Sequence, residues 1–345
     1  MNYTKNESKA IQQVAAAAAK NIVKGFWACD GSTLFTVGSK INLSVPCESS
    51  GAWVVPSRTF VAAIKGAKDI SIDFDDANNT VNICGCKCTA MAFDNAENIL
   101  NDNEQPINKG FYRIGRPVDE LLDAVDFVST DQKRFNLTGV CIDSGIWATD
   151  GYRAKITNPI PAFDPTDNAV IIPANIIKWF GKLESEFFAS MDDTQILINV
   201  DRVKILCDAI EGPYPRIRGV IPTTFDNYIN IDSRDFKKLD SFLDRAKKLV
   251  KRTRKFAFMP CENYIKVHAV DIDSGLEICE ILENSYATGV NTVNIGFNAA
   301  HAQQIAKKIV KQNKQSDKII IKYNAATSAT IWGYDYLLMP VHIDD

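Results

Sequence analysis

Three times in this chain a short apolar run ends at a break and passes straight into a segment with helical periodicity. Val54-Val55-Pro56-Ser57 opens the segment 58–65, Ile171-Ile172-Pro173-Ala174 opens 175–182, and Ile295-Gly296-Phe297-Asn298 opens 299–310. In the first two, proline is expected in the first helical turn, where the N–H it lacks would have no partner. The separations are 117 residues from Pro56 to Pro173 and 124 from Pro173 to Phe297, each close to a third of the 345-residue chain. A period this long marks a duplicated domain, not a solenoid.

The flanks repeat as well. Each anchor is followed by β-rich runs, 70–93, 187–209 and 318–341, broken by turn residues at 75–79, 192–193 and 324–326. Each is preceded by an amphipathic helix, expected over 9–24, 118–129 and 234–251, that leads into a hairpin turning at 30–32, 143–145 and 261–263. The expected fold class is therefore α+β, with three topologically similar domains over 1–110, 111–224 and 225–345. Short polar stretches near 108–110 and 223–226 form the joints.

Composition narrows the class. The chain is 46% apolar and 23% charged, which is ordinary for a globular protein. No run approaches the roughly 18 apolar residues of a membrane span. The polar start and the short 14–19 run do not make a secretory leader. Nine cysteines, an odd number, at 29, 47, 84, 86, 88, 141, 207, 261 and 279 read as free thiols in a reducing, cytoplasmic setting.

Charge is segregated. The net charge is only −3, yet the stretch 234–255 carries ten basic residues against three acidic ones. Lys307, Lys308, Lys311 and Lys314 add four positive charges without an acid, and the stretches 1–24 and 58–68 add three net each. The middle third departs from this, because its first helix carries Asp119, Glu120, Asp123 and Asp126. If the helices share one face, that face is positive and the remainder negative, an arrangement that attracts a polyanion to one place. With no aromatic ladder and no recognition-helix signature, the expected contact is with phosphates, independent of sequence.

Further residues resemble a known family. Trp147-Ala148-Thr149-Asp150-Gly151-Tyr152-Arg153-Ala154 resembles the ATDG[HY]R signature of the bacterial DNA polymerase III β sliding clamps. Leu137-Thr138-Gly139 resembles the family's LNG, and Gly212-Pro213-Tyr214-Pro215 followed by Val220-Ile221-Pro222 resembles its G-x-[FY]-P…V-[LI]-P. Ile295–Asn298 resembles IGFN, Leu337-Leu338-Met339-Pro340 resembles the terminal MP segment, and Val55-Pro56-Ser57-Arg58 resembles the first anchor. All lie in the family's order, which a chromosomal, phage or mobile-element member would equally share. Gly219, Asn136 and His342 stand where many members have arginine, tyrosine and arginine.

The resemblance implies a head-to-tail homodimer closing a six-domain ring around duplex DNA, with helices lining the hole and sheets outside. It also implies a non-catalytic processivity factor without a cofactor, serving DNA replication. Its partners would be duplex DNA, a second copy of itself, and DNA polymerase and clamp-loader subunits bound through short peptide motifs, with no membrane partner. The implied peptide pocket comprises Leu137, Thr149, Gly151, Tyr152, Arg153, Ala154, Pro215, Val220, Asn298, His301, Ser328, Leu337, Leu338, Met339 and Pro340. Candidates for the DNA-facing hole are Lys20, Lys24, Arg134, Lys178, Lys182, Lys237, Lys238, Lys248, Lys307, Lys308 and Lys311. The dimer contact is expected between Lys87, Cys88 and Met91 and the partner's region around Lys248 and Leu249.

Two other classes compete. One is a DNA-binding assembly protein that does not encircle its ligand. The other is a metal-dependent nucleic-acid enzyme, which would need clustered carboxylates or histidines. His268, His301 and His342 fit no ligand spacing, and the acidic clusters coincide with turns. Cys84-Gly85-Cys86-Lys87-Cys88 has the alternation that would set three thiols on one face of a strand, without the second ligand pair of a zinc site.

Overall fold

The computed structural model describes residues 3–20, 25–37, 41–91, 111–114, 118–143, 145–157, 169–190, 194–250, 254–271, 273–290, 293–312, 317–324 and 328–342, apart from Ser144 and the side chains of 18–20 and Tyr112. The elements are α1 (Lys5–Lys20), β1 (Phe26–Cys29), β2 (Thr33–Val37), β3 (Ile41–Pro46), β4 (Trp53–Pro56), α2 (Ser57–Ile64), β5 (Ile72–Asp75), β6 (Thr80–Ile83) and β7 (Cys86–Thr89). There follow β8 (Phe111–Arg113), α3 (Val118–Ala124), β9 (Gly139–Ile142), β10 (Ile146–Thr149), β11 (Arg153–Ile156), β12 (Val170–Pro173), α4 (Ala174–Phe180), β13 (Ser185–Ser190), β14 (Gln195–Val200) and β15 (Val203–Asp208). The remainder is β16 (Asn227–Asp232), α5 (Phe236–Leu249), β17 (Lys255–Pro260), β18 (Ile265–Asp271), β19 (Leu276–Leu282), β20 (Tyr286–Gly289), β21 (Ile295–Asn298), α6 (Ala299–Gln312), β22 (Lys318–Tyr323), β23 (Thr330–Trp332) and β24 (Tyr336–Leu338).

All three anchors are four-residue strands, β4, β12 and β21, that run directly into α2, α4 and α6. The prolines act differently from expectation. Pro56 (φ −58°, ψ 140°) and Pro173 (φ −55°, ψ 132°) are the last strand residues and precede the helical turn. Their fixed φ suits extended backbone, and a missing N–H ends a ladder as readily as it opens a helix. At the third anchor a different device starts the helix: Asn298 Oδ1 accepts the N–H groups of Ala300 (3.0 Å) and His301 (3.3 Å).

The chain forms two compact units. The first comprises Met1–Asp126, Thr138–Asp143 and Asp164–Pro213. Its main sheet is antiparallel throughout, in the order β4-β1-β2-β3-β15-β14-β13-β8. Helix α2 lies on this sheet, with the Phe60 ring stacked on Trp27 at 4.0 Å. Gly139 is forced by close approach: a Cβ there would stand 2.7 Å from both Ile171 Cγ2 and the Ile172 carbonyl. The unit also holds a small sheet, β5-β6-β7, and the antiparallel pair β9-β12, which leads into α4.

That small sheet corrects the reading of the cysteine cluster. Cys84 (φ 49°) and Gly85 (φ 83°) are the two central residues of a tight hairpin turn, and only Cys86 and Cys88 lie in a strand. Two consecutive positive φ values are what a two-residue hairpin needs to match strand twist. The 30–32 and 261–263 turns stand as expected, with Asp30 N–H bonded to Thr33 O and Cys261 N–H to Tyr264 O. The 192–193 and 325–326 turns, Ser144 and the 108–110 joint lie outside the described residues.

Helix α1 starts at Lys5, four residues before the expected start, because Thr4 and Glu7 form a reciprocal capping box. Thr4 N–H donates to Glu7 Oε2 (2.8 Å), and Glu7 N–H donates to Thr4 Oγ1 (3.2 Å). Glu7 is fully buried and also takes a two-pronged contact from Arg202 at 2.6 and 2.9 Å. Helix α3 ends at Ala124, earlier than expected, and passes into a 3-10 turn over Val125–Phe127.

The second unit comprises Phe127–Leu137, Ser144–Phe163 and Tyr214–Asp345. Its strands pair antiparallel in the order β10-β11-β24-β23-β22-β16-β20, beside a second sheet β19-β18-β17-β21. Helices α5 and α6 pack together, burying Leu239, Phe242, Leu243 and Ala246 from one and Ala302, Ile305, Ala306 and Ile309 from the other. Phe256, Phe258, Phe297 and Trp332 form the aromatic centre of the core.

Glu7 yields a stability prediction. Burial by itself raises its carboxyl, but the Arg202 guanidinium and the Thr4 N–H outweigh this and hold it below its ordinary value of 4.5. A depressed carboxylate contributes stability above the ordinary value and loses it as pH falls through the folded-state value. Glu7→Gln should therefore cost about 2 kcal/mol at pH 7, measured by denaturant unfolding. The deficit relative to wild type should shrink as the pH drops below 4.5.

Candidate partner-binding site

The site is built on the hairpin between β10 and β11, within the second unit. Thr149 closes it: its Oγ1 donates to Arg153 O (2.8 Å) and accepts from Gly151 N–H (3.0 Å). Asp150 Oδ1 accepts the N–H groups of Tyr152 (2.9 Å) and Arg153 (3.1 Å), and Oδ2 accepts Arg153 Nε (2.9 Å). Gly151 takes φ +94°, which other residues adopt only under strain. A Cβ on Gly151 would meet the Arg134 guanidinium at 2.8 Å, so Arg134 lies over this turn.

The turn presents Tyr152, 62% exposed, to solvent and sends Arg153 inward, where it is only half-buried but tightly held. The Arg153 guanidinium lies 5.2 Å from the Phe127 ring centroid and donates to Gln304 Oε1 on α6. The Tyr152 ring is 6.3 Å from the His301 imidazole, one turn earlier on that helix. The C-terminal segment closes the third side. Strand β24 pairs with β11, Met339 N–H donates to Tyr152 O (2.9 Å), and Val341 N–H donates to Gly296 O (2.9 Å). On the fourth side Tyr214 accepts Thr149 N–H on its hydroxyl (3.0 Å), which ties the segment leading to Pro215 and Val220 to the turn. Arg218 in that segment lies over the Trp147 ring at 4.8 Å.

The structure thus brings together Thr149, Gly151, Tyr152, Arg153, His301 and Met339 directly, and Pro215 and Asn298 through their neighbours. Leu137, Ala154, Leu337 and Leu338 are buried beneath this surface. Pro340 is partly exposed and Val220 is 54% exposed. Ser328 lies just before β23. Sequence reasoning missed Phe127 and Gln304, because neither falls in a motif and each acts only through contacts between distant residues. Tyr214 lies in the Gly212–Pro215 motif, but only its contact with Thr149 shows its part in the site. Arg134, expected at DNA, adjoins Gly151. The Lys308 ammonium, also expected at DNA, is 5.6 Å from the Phe127 ring.

His301 is electrostatically set. Burial first, then the Arg153 guanidinium and Arg254, push its imidazole below 6.5, with Asp150 opposing. The ring is neutral at physiological pH and can both donate and accept.

The remaining basic candidates divide by unit. Lys178 and Lys182 are exposed on and just after α4. Lys237, Lys307 and Lys311 line one groove of about 290 Å³ between α5 and α6, floored by Phe236, Leu239, Ala306, Val310 and Ile319. Lys238 pairs with Glu283 (3.5 Å), Lys248 with Asp244 (2.5 Å) and Lys307 with Asp240 (3.1 Å). The side chain of Lys20 and all of Lys24 lie outside the described residues. Lys87 and Cys88 sit on β7, an outer strand of its sheet among the described residues; Met91 is 38% and Leu249 40% exposed. Strand β19 is likewise an outer strand, with Leu276 and Ile281 more than 40% exposed, a feature the sequence analysis did not single out. Among the described residues no group of three or more His, Cys, Asp or Glu is placed to hold a metal, and no helix is long and apolar enough to cross a membrane.

The three strand-to-helix anchors and the antiparallel sheets define a DNA-clamp fold of the α+β class. Solved DNA polymerase III β subunits share it along nearly their whole length. The Thermotoga maritima subunit aligns over 99% of both chains with a TM-score of 0.75 at 17% identity. The Borrelia burgdorferi subunit, solved in complex with a natural product, aligns over 98% of both with a TM-score of 0.73 at 18% identity. The Bacillus subtilis sliding clamp aligns over 99% of both with a TM-score of 0.70 at 18% identity. No protein-family model and no curated protein sequence matches the chain.

Two outcomes test this site. Gly151→Ala should destabilise the protein by about 1 kcal/mol, the cost of a non-glycine residue at positive φ, and should shift the Arg134 side-chain resonances. By NMR, His301 should titrate below 6.5, and Arg153→Gln should move it upward. Because the folded state holds this imidazole neutral, the unfolded chain gains the proton first as pH falls through 6.5. The group therefore withdraws stability on the acid side.

Proposed function

We propose that the protein is a sliding clamp: a non-catalytic processivity factor that encircles duplex DNA and tethers a DNA polymerase. One observation carries the reading, the run of the clamp fold along 97–99% of the chain in alignment with solved clamps. In this reading the chain comprises three clamp domains, 1–110, 111–224 and 225–345, and two chains close head to tail in the cytoplasm.

Ring closure covers exposed strand edges, which otherwise invite uncontrolled pairing. The β7 side with Lys87, Cys88 and Met91 would meet the partner's α5 end, Lys248 and Leu249, with the exposed edge of β19 alongside. Sedimentation should give a dimer of twice 38.3 kDa at micromolar concentration; a monomer alone would refute closure.

The basic helix faces would meet phosphates without reading bases. Lys237, Lys307 and Lys311 around one groove, with Lys178 and Lys182, are the strongest members of that set. Each phosphate contact steepens the salt dependence by about 0.9 in log–log slope. Reversing Lys237, Lys307 and Lys311 together, six charges in the dimer, should flatten the slope by about 5 and shorten processive synthesis while the dimer persists. Retention on nicked circular but not linear DNA distinguishes an encircling clamp from a DNA-binding assembly protein that does not encircle.

The turn, the start of α6 and the C-terminal segment would receive a short peptide of a polymerase or clamp-loader subunit. Met339, Tyr152 and Val220 offer apolar contact that can adapt to different anchors. His301, Arg153 and the Asn298 amide offer hydrogen bonds. Such sites concentrate affinity in few residues, so Tyr152→Ala with Met339→Ala should weaken peptide binding by tenfold or more. Fluorescence anisotropy with a labelled polymerase C-terminal peptide measures this, and undiminished affinity in a folded double variant would move the site elsewhere.

A further inference from the structure

Two cysteines outside the functions above stand in contact. Cys29 is the last residue of β1, Cys47 follows β3, and their sulfurs are 3.1 Å apart. The fold imposes the meeting. The β1–β2 turn closes with Asp30 N–H on Thr33 O (3.2 Å), and Cys47 N–H donates to Ser32 O (2.6 Å), so the chain leaving β3 crosses that turn. Both cysteines are buried, Cys29 at 0% and Cys47 at 5% exposure. Among the described residues, the other buried cysteines, Cys141 and Cys207, have no hydrogen-bonded sulfur neighbour; the Cys207 thiol donates to the Ile196 carbonyl at 3.7 Å.

We propose that Cys29 and Cys47 form a reversible disulfide, a redox-controlled staple across the β1-β2-β3 end of the first unit. Bond formation needs the sulfurs to close from 3.1 Å to about 2.05 Å, within reach of side-chain rotation. The oxidant is a hydroperoxide, small enough to enter a closed site. Cys47 reacts first: it is the less deeply buried of the two, 5% exposed against 0% for Cys29, and the Cys29 sulfur against it favours its thiolate. The same contact and burial hold the Cys29 thiol up.

The Cys47 sulfur attacks one peroxide oxygen and the O–O bond breaks, leaving a sulfenic acid on Cys47 and releasing hydroxide, which takes a proton to become water. The Cys29 sulfur then attacks the Cys47 sulfur. The S–O bond breaks, and hydroxide leaves as water with the proton from Cys29. Two thiols and one hydrogen peroxide become one disulfide and two waters. A dithiol reductant reverses the step by exchange. The staple closes a span of 18 residues and so restricts the unfolded chain.

The test uses the full-length protein. Accessible thiols, such as exposed Cys86 and Cys279, are first blocked natively with N-ethylmaleimide. Hydrogen peroxide follows, then denaturing alkylation and peptide mapping without reductant. The expected product joins the Cys29 and Cys47 peptides, lighter by two hydrogens, and dithiothreitol returns both thiols. Oxidised protein should melt several degrees higher. In Cys29→Ser, a sulfenic acid should be trapped on Cys47 by dimedone. Recovery of Cys29 and Cys47 as separately alkylated thiols after peroxide, or Cys47 over-oxidised without a link in wild type, overturns the proposal.

Discussion

Strand β24 returns to β11 from the far end of the chain, and one buried stack holds that pairing. Lys155 is 2% exposed, with its ammonium 3.0 Å from Asp335 Oδ2 and 4.4 Å from the Tyr336 ring centroid. Tyr336 stacks on Phe127 at 5.4 Å, and Phe127 receives the Arg153 guanidinium. Residues 153 and 155 alternate onto the same face of β11, so two cations meet two stacked rings on one side of the strand. A buried ammonium stripped of its partner costs about 3–5 kcal/mol, so the register Arg153↔Leu338, Lys155↔Tyr336 is strongly specified. The C-terminal side of the candidate site hangs on that register, because it fixes where Met339 leaves the sheet and meets the Tyr152 carbonyl.

The parts of the fold legible in the sequence were those with local causes. The anchors were legible because an apolar run must end before a helix can begin, and both changes show in the residue pattern. The 30–32 and 261–263 turns announced themselves by composition. What stayed hidden depended on contacts between distant residues or on backbone signs that composition leaves open. Cys84-Gly85-Cys86-Lys87-Cys88 alternates like a strand, yet Gly85 permits a two-residue turn, and the turn prevailed because it pairs Ile83 with Cys86. Asn298 reads as a ligand contact in the motif, but its side-chain oxygen is committed to capping α6. Phe127 sits at the end of an acidic helix and gave no sign of the two cations it supports.

Charge was legible in amount more than in disposition. The basic residues of α5 and α6 are partly answered by acids on the same helices: Asp240 takes Lys307, and Asp244 takes Lys247 and Lys248. Those two lysines push the Asp244 carboxyl down to about 2. Exposed pairs of this kind contribute little to stability. Their lysines can exchange a carboxylate for a phosphate at small cost, as the proposed loose hold on a polyanion requires.

The candidate pocket separates support from contact. Leu337 and Leu338 are 3% and 1% exposed and belong to the core, so their truncation would act first on packing. The apolar surface open to a partner is instead Tyr152, Val220 and Met339, carried on a glycine turn, a 3-10 segment and a strand end. The backbone groups of these elements are largely spent within the fold: the Tyr152 carbonyl on Met339, the Thr149 N–H on Tyr214. A ligand therefore meets side chains whose backbones are already fixed, so little conformational freedom is lost on binding. Beside Val220, Gly219 carries no side chain, and a Cβ added there would meet no atom within 4 Å, so the backbone at this edge stands open next to the exposed Val220.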